Sequence, residues 1–338
     1  MPKLGFVAYP DGHPIVTEAI DGAVLRSRDA PLVLKPWRAM HVIGFRIDDQ
    51  VRADVSAAAV LIADITYPNM NVFYEMGYAI AVGKPVIPAL NVAVERAAQR
   101  VNQMGLFDTI GWASYANSHD LFEALQNPPE APWTNTYTRR KNHSQPLFIL
   151  DTLIKTDFRN QIFHAVENSQ VEFRAFDPTE IPRLTAANAI AEVSSSAGVI
   201  VPFLSDEIVD AERNNLRASF ILGLCHGFEV EVLAIQYDNR PAPIDYREFI
   251  TNSTFGHETD RHVGEFAAKV LVWNQRAASR DRRLTLNLLN AIDLGSPMAE
   301  NETQRLNDYF IQTAAFARAL RAEGAVVIGR KGSGKSAI

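Results

Sequence analysis

Glu75 lies four residues after Asn71 and six after Asn69, in the run Asp64-Ile65-Thr66-Tyr67-Pro68-Asn69-Met70-Asn71-Val72-Phe73-Tyr74-Glu75-Met76-Gly77. A charged carboxylate held in place can attack an electrophilic carbon or grip a sugar hydroxyl. The apolar run 59–65 reads as a buried strand, and Asn71 reads as the N-cap of a helix over 71–82. Asp64 is then at the carboxyl end of the strand, where open α/β sheets bind ligands. Glu75 falls in the helix's first turn, on the same face as Asn71. Free amides and the positive helix end there would keep Glu75 ionised. The plainer alternative is a carboxylate that complements the helix dipole, worth about 0.3–1 kcal/mol. Asp64 is balanced between ligand contact and capping its own loop, because a buried carboxylate needs partners. Asn69 is the better ligand contact of the two asparagines. Tyr9, after the first strand, is either a site residue or a packed aromatic. Arg46 and Asp49, around another helix start, are candidates for the pocket mouth, with surface roles the simpler alternative.

A second chemistry ends the sequence. Residues 325–328 read as a strand running into Gly329-Arg330-Lys331-Gly332-Ser333-Gly334-Lys335-Ser336, the phosphate-binding P-loop pattern. Gly329, Gly332 and Gly334 let backbone amides ring the phosphates, Lys335 reaches the outer ones, and the Ser336 hydroxyl binds Mg²⁺. ATP and Mg²⁺ are therefore implied for a longer polypeptide, of which these 338 residues are expected to be a fragment unable to hydrolyse ATP alone.

Positioning these residues requires an α/β fold. Residues 1–126 alternate strands (4–8, 32–34, 59–65, 86–90) with helices (14–27, 48–57, 71–82, 118–125), which implies a parallel sheet covered on both faces. Residues 127–145, proline-rich and then basic, read as a linker. The alternation restarts over 146–252, with strands at 147–150, 171–176, 197–204 and 230–236 and helices at 157–167, 186–194 and 212–225. This reads as a diverged second copy. Registering Val199-Ile200-Val201 on Val60-Leu61-Ile62, and Gly227 on Gly83, sets Asn215 opposite Asn71, Ser219 opposite Glu75 and Phe203 opposite Asp64. The copy then lacks both carboxylates and is degenerate; an unrelated α/β domain of similar rhythm is the alternative. Residues 260–324 read as a helical connector, with helices at 263–275, 284–291 and 300–323, before the P-loop start at 325–338.

Composition narrows the class. With 47% hydrophobic and 21% charged residues and a net charge of -6, the chain reads as a globular protein without an overall basic footprint for nucleic acid. A small basic cluster at Arg276, Arg280, Arg282 and Arg283 leaves nucleic acid open, though a solvated helix end explains it more simply. The single Cys225 excludes an intrachain disulfide and suits a reducing cytoplasm. No apolar run is long enough to span a membrane. The eight histidines show no metal-ligand spacing, and no dinucleotide fingerprint follows the first strand.

The 64–79 segment, with Gly5-Phe6-Val7-Ala8-Tyr9-Pro10, resembles the nucleoside 2-deoxyribosyltransferases and their TIR-like relatives over roughly the first 125 residues. The resemblance implies two tandem flavodoxin-like/TIR-like parallel-sheet domains. It implies that Glu75 attacks or holds the sugar C1′ and that Tyr9 orients it. Asn69 occupies a position where the transferases often carry aspartate, a departure that counts against base exchange but not against glycosidic-bond chemistry. No cofactor is implied for the first domain. Its partner would be a nucleoside, nucleotide or NAD-like molecule, and the active form a homo-oligomer. Residues from 293 through the P-loop resemble the start of P-loop ATPase domains of bacterial defence proteins, implying an antiphage effector under ATPase control. The alternatives are a nucleotide sensor that leaves its ligand intact and an assembly platform for the ATPase.

Overall fold

The computed structural model describes residues 2–40, 43–44, 46–107, 110–126, 141–238, 242–243 and 246–291, with 278–291 by backbone alone. The first half runs β1 (Lys3–Ala8), α1 (Pro14–Arg26), β2 (Leu32–Pro36), α2 (Ile47–Ala57), β3 (Val60–Asp64), α3 (Met70–Ala81), β4 (Val86–Asn91), α4 (Ala97–Met104), β5 (Ala113–Tyr115) and α5 (Ser118–Ala124). The second runs β6 (Leu147–Leu150), α6 (Asp157–Asn168), β7 (Phe173–Phe176), α7 (Ala186–Ser195), β8 (Gly198–Phe203), α8 (Ala211–Phe228), β9 (Glu231–Tyr237), β10 (Ile250–Ser253) and α9 (Gly256–Ala291). Each half builds a five-stranded parallel sheet. The orders, β2-β1-β3-β4-β5 and β7-β6-β8-β9-β10, are the same when read from the second strand of each half. β3 and β8 are buried along their whole length, as strands covered on both faces must be.

The halves meet helix to helix. A Cβ on Gly77 would collide with the Phe220 carbonyl and lie 3.0 Å from Leu224 N. A Cβ on Gly223 would collide with the Tyr74 carbonyl and lie 2.8 Å from Tyr78 N. The contact is reciprocal, as in a two-fold interface between identical subunits, and only glycine lets the backbones of α3 and α8 approach so closely. One apolar core continues across it, from Phe73, Met76 and Ile80 to Phe220, Ile221 and Leu224. Separate cores lie on the outer faces, around Ile20 and Tyr115 in the first half and around Ile162 and Val270 in the second.

This geometry corrects the sequence register of the two halves. Lys84 N bonds Ala79 O after α3, and Val230 N bonds Cys225 O after α8. Gly83 and Glu229, the residues that stop the helices, both have positive φ. Gly83 therefore matches Glu229 rather than Gly227. Ile221 stands opposite Glu75, Arg217 opposite Asn71, and, from the strand pairings, Pro202 opposite Asp64. The helix register shifts because Gly227 lies inside α8, and the left-handed stop that Gly83 makes after α3 is made after α8 by a non-glycine residue, Glu229. The second half still lacks both carboxylates.

Other expectations also change. Both sheets lie within one compact unit, Met1–Ala277, and Ala278–Ile338 is a second. Residues 141–145, expected in the linker, are held to the second half, with Lys141 Nζ donating to the Ser194 and Ser196 carbonyls. The edge strands β5 and β10, and α4, were not legible as elements, and α9 is continuous where two helices were expected. Residues 300–323, Gly329, Gly332, Gly334, Lys335 and Ser336 lie outside the described residues. Among the described residues no helix is long and apolar enough to cross a membrane.

Candidate functional site

At the carboxyl edge of the first sheet the ends of β1, β2 and β3 converge on α2 and α3. Together they enclose a cavity of about 390 Å³. Tyr9, Pro10 and Asp11 enter it from the end of β1, Trp37, Arg38 and Met40 from the end of β2, and Asn69, Asn71, Val72 and Glu75 from α3. Ile47 and Val51 of α2 supply an apolar wall.

The start of α3 differs from expectation. Asn69, not Asn71, is the N-cap: its Oδ1 accepts from Asn71 N at 2.9 Å and Val72 N at 3.3 Å. The helix therefore starts one residue earlier, at Met70. Glu75 is in its second turn and is 5% exposed, rather than beside the free amides of the first. The cap occupies Asn69's oxygen, whereas Asn71 lies within the helix with its side chain at the cavity.

The cavity holds polar atoms that the fold does not satisfy. The Tyr9 hydroxyl, Trp37 Nε1 and Asn71 Oδ1 are all buried without a hydrogen-bond partner. A buried polar group left so costs about 1–3 kcal/mol, and buried polar groups are ordinarily paired. Three such atoms around one cavity make it the candidate site. Burial raises the Tyr9 phenol above its ordinary value, against the opposing pull of Arg38, so its proton stays available to donate. At the rim Arg38 ion-pairs with Asp11 and lies 5.6 Å from the ring centres of both Tyr9 and Trp37.

Three expected site residues lie elsewhere. Asp64 is 1% exposed and does not line the cavity. Its oxygens accept from Thr66 N and Oγ1, both at 3.1 Å, and from the Tyr115 hydroxyl at 2.6 Å. Burial pushes its carboxyl up to about 6, against those hydrogen bonds. It braces the β3 loop against β5. Arg46 bonds Asp48 at 2.9 and 3.1 Å and, like Asp49, is largely exposed. Asp49 pairs with Arg52 at 2.6 Å. Ile47, between them, is the residue that reaches the cavity.

Sequence reasoning missed Trp37, Arg38 and Asp11. Extending the second strand from Leu34 to Pro36 would have brought Trp37 and Arg38 to the sheet's ligand-binding edge. Among the described residues no group of three His, Cys, Asp or Glu side chains is placed to hold a metal ion. Compared with known proteins, the chain matches no family model and no curated protein sequence.

Proposed function

We propose that the first half binds a ribosyl ligand and cleaves or transfers its N-glycosidic bond, with Glu75 as the carboxylate that meets C1′. The observation that carries this is a buried glutamate lining the same cavity as Tyr9, Trp37 and Asn71, whose polar atoms await partners. Asn71 Oδ1 accepts a sugar hydroxyl, which fixes the ring over Glu75. A Glu75 oxygen bonds to C1′ as the C1′–N bond breaks. The bond's electron pair leaves with the base, which takes a proton from solvent. Water, or a second base, then attacks C1′ and frees the carboxylate, as in retaining glycosidases.

Incubating the chain with a panel of nucleosides, nucleotides and NAD tests this reading. Base release should fall by about a thousandfold or more in Glu75→Gln. Turnover unchanged in a folded Glu75→Gln variant would remove Glu75 from the chemistry. A binding-only role has one specific observation in its favour. Asn69, where the transferases often carry a second carboxylate, is occupied as a helix cap. Ligand binding without base release in the wild type would select that role. The wider reading identifies both halves as flavodoxin-like/TIR-like domains. It makes the chain the effector part of a cytoplasmic, self-associating antiphage protein under ATP- and Mg²⁺-dependent control by the P-loop region.

A further inference from the structure

The two ends of the cavity differ in hydrogen-bonding sense. At the α3 end stand acceptors, Asn71 Oδ1 and the Glu75 carboxylate. At the β1–β2 end stand donors: the Tyr9 hydroxyl, the indole N–H of Trp37, and the Arg38 guanidinium. Indole and guanidinium can only donate, so this end calls for an acceptor-rich group. Asp11 already shows what sits there, since its carboxylate occupies the Arg38 guanidinium at the rim. Asp11 is itself 68% exposed, on a loop that turns at Gly12 with φ of 80°. It can leave without opening the core.

We infer that the β1–β2 end is a phosphate subsite, in which a nucleotide's phosphate displaces Asp11 from Arg38 and takes up the Trp37 and Tyr9 donors. The ligand is then a phosphorylated nucleoside rather than a free one, its sugar hydroxyls at Asn71 and its phosphate at Arg38. This rests on the ribosyl reading of the site and narrows it. Arg38 is a specificity residue here and takes no part in bond cleavage.

Calorimetric titration of the whole chain with the four common ribonucleosides, their 5′-monophosphates and NAD tests the inference. A phosphate on two or three donors, one of them charged, should tighten binding about 10- to 100-fold over the parent nucleoside. Arg38→Gln should collapse that ratio toward one, with melting temperature as the control for folding. Asp11→Asn should move the other way and tighten the monophosphates, because it removes the resident competitor. A purely structural Asp11–Arg38 pair would not produce that gain. Nucleosides binding as tightly as their monophosphates, or an Arg38→Gln ratio equal to wild type, would overturn the phosphate subsite and leave the ribosyl reading standing. Failure of every member of the panel to bind would overturn both.

Discussion

The positions that line a cavity in the first half carry, in the second, side chains of different kind with partners of their own. Where the first half has Asn71, the second has Arg217, whose guanidinium lies 5.3 Å over Phe176, the residue at Trp37's position. Arg217 donates to the Met104 and Pro182 carbonyls at 3.1 Å, though its Nε has no acceptor. Burial, with Arg213 nearby, brings its basicity down to about 10. At Tyr9's position Asp151 accepts from Arg159 at 2.6 and 2.7 Å and from Lys155 at 2.7 Å. Ile221 replaces Glu75 as an apolar core residue. Arg217 and Asp151 thus find partners in the fold, Met104 of the first half among them, whereas the Tyr9 hydroxyl, Trp37 Nε1 and Asn71 Oδ1 at the first half's cavity have none. One backbone plan supports both, so the fold cannot be what decides the function; the side chains at a few edge positions do.

If the halves are equal partners in the fold, the largest effects should come in matched pairs at the α3–α8 crossing. Gly77→Ala and Gly223→Ala each drive a methyl into a backbone carbonyl, which cannot rotate away as a side chain would. Each should cost about 3 kcal/mol, the upper part of the range for overpacking. Because one core spans both halves within the unit Met1–Ala277, the two sheets should lose their structure together in urea. A large cost at only one glycine, or hydrogen exchange showing the two sheets opening at different urea concentrations, would break the equivalence.

The next contrast is electrostatic, for the first half buries Asp64 where the second has Pro202. The Asp64 carboxyl titrates near 6 when folded against an ordinary 3.8, so the native state holds this proton more tightly than the unfolded chain does. Its contribution therefore favours folding as pH falls through 6 toward 4, and above 6 the buried charge costs on the order of 3 kcal/mol. His226 of α8 bonds the Tyr74 hydroxyl at 2.8 Å and is pushed down to about 4 by burial, with Arg52 adding to the shift. That ring stays neutral in the fold while the unfolded chain takes a proton, so His226 removes stability as pH falls from 6.5 toward 4. The two effects oppose each other across one window. Asp64→Asn should expose the histidine, with stability dropping by about 2 kcal/mol between pH 6.5 and 4, where the wild type changes less. Equal slopes in the two proteins by urea titration at each pH would show that Asp64 is not a strained buried charge.

What the sequence disclosed divides along physical lines. The buried central strands and amphipathic helices were legible because they bury apolar faces with clear periods. Glu75 was placed at the sheet's carboxyl edge because a cap signal follows a buried strand, but Asn69 and Asn71 exchange the parts expected of them, cap and cavity contact. β5, only three residues long, and β10, on the sheet's edge, carry too little periodicity to separate from loops. The cap assignment failed because Asn69 and Asn71 satisfy the same rule two residues apart, and only geometry shows which oxygen meets the free amides. Arg217 gave no signal at all, since its acceptors, the Met104 and Pro182 carbonyls, lie far from it in the chain.

The smallest contrast tests the corrected register itself. Gly83 and Glu229 stop equivalent helices in the left-handed region, at φ of 77° and 55°. Glycine adopts that conformation without cost, whereas a side chain there pays about 1–2 kcal/mol. Part of the gain from restoring glycine is lost to the greater freedom of the unfolded chain. Glu229→Gly should therefore stabilise the protein by about 0.5–1 kcal/mol. Gly83→Ala, with nothing within 4 Å of the added methyl, should destabilise it by about 1 kcal/mol through backbone strain alone. Opposite signs at the two positions, read from urea midpoints, follow only if both residues occupy the same helix-stop geometry. Under the alternative match of Gly83 to Gly227, the informative substitution would be Gly227→Ala. That methyl meets Ala81 Cβ and the Tyr78 carbonyl across the helix crossing, so it reports packing rather than the helix stop.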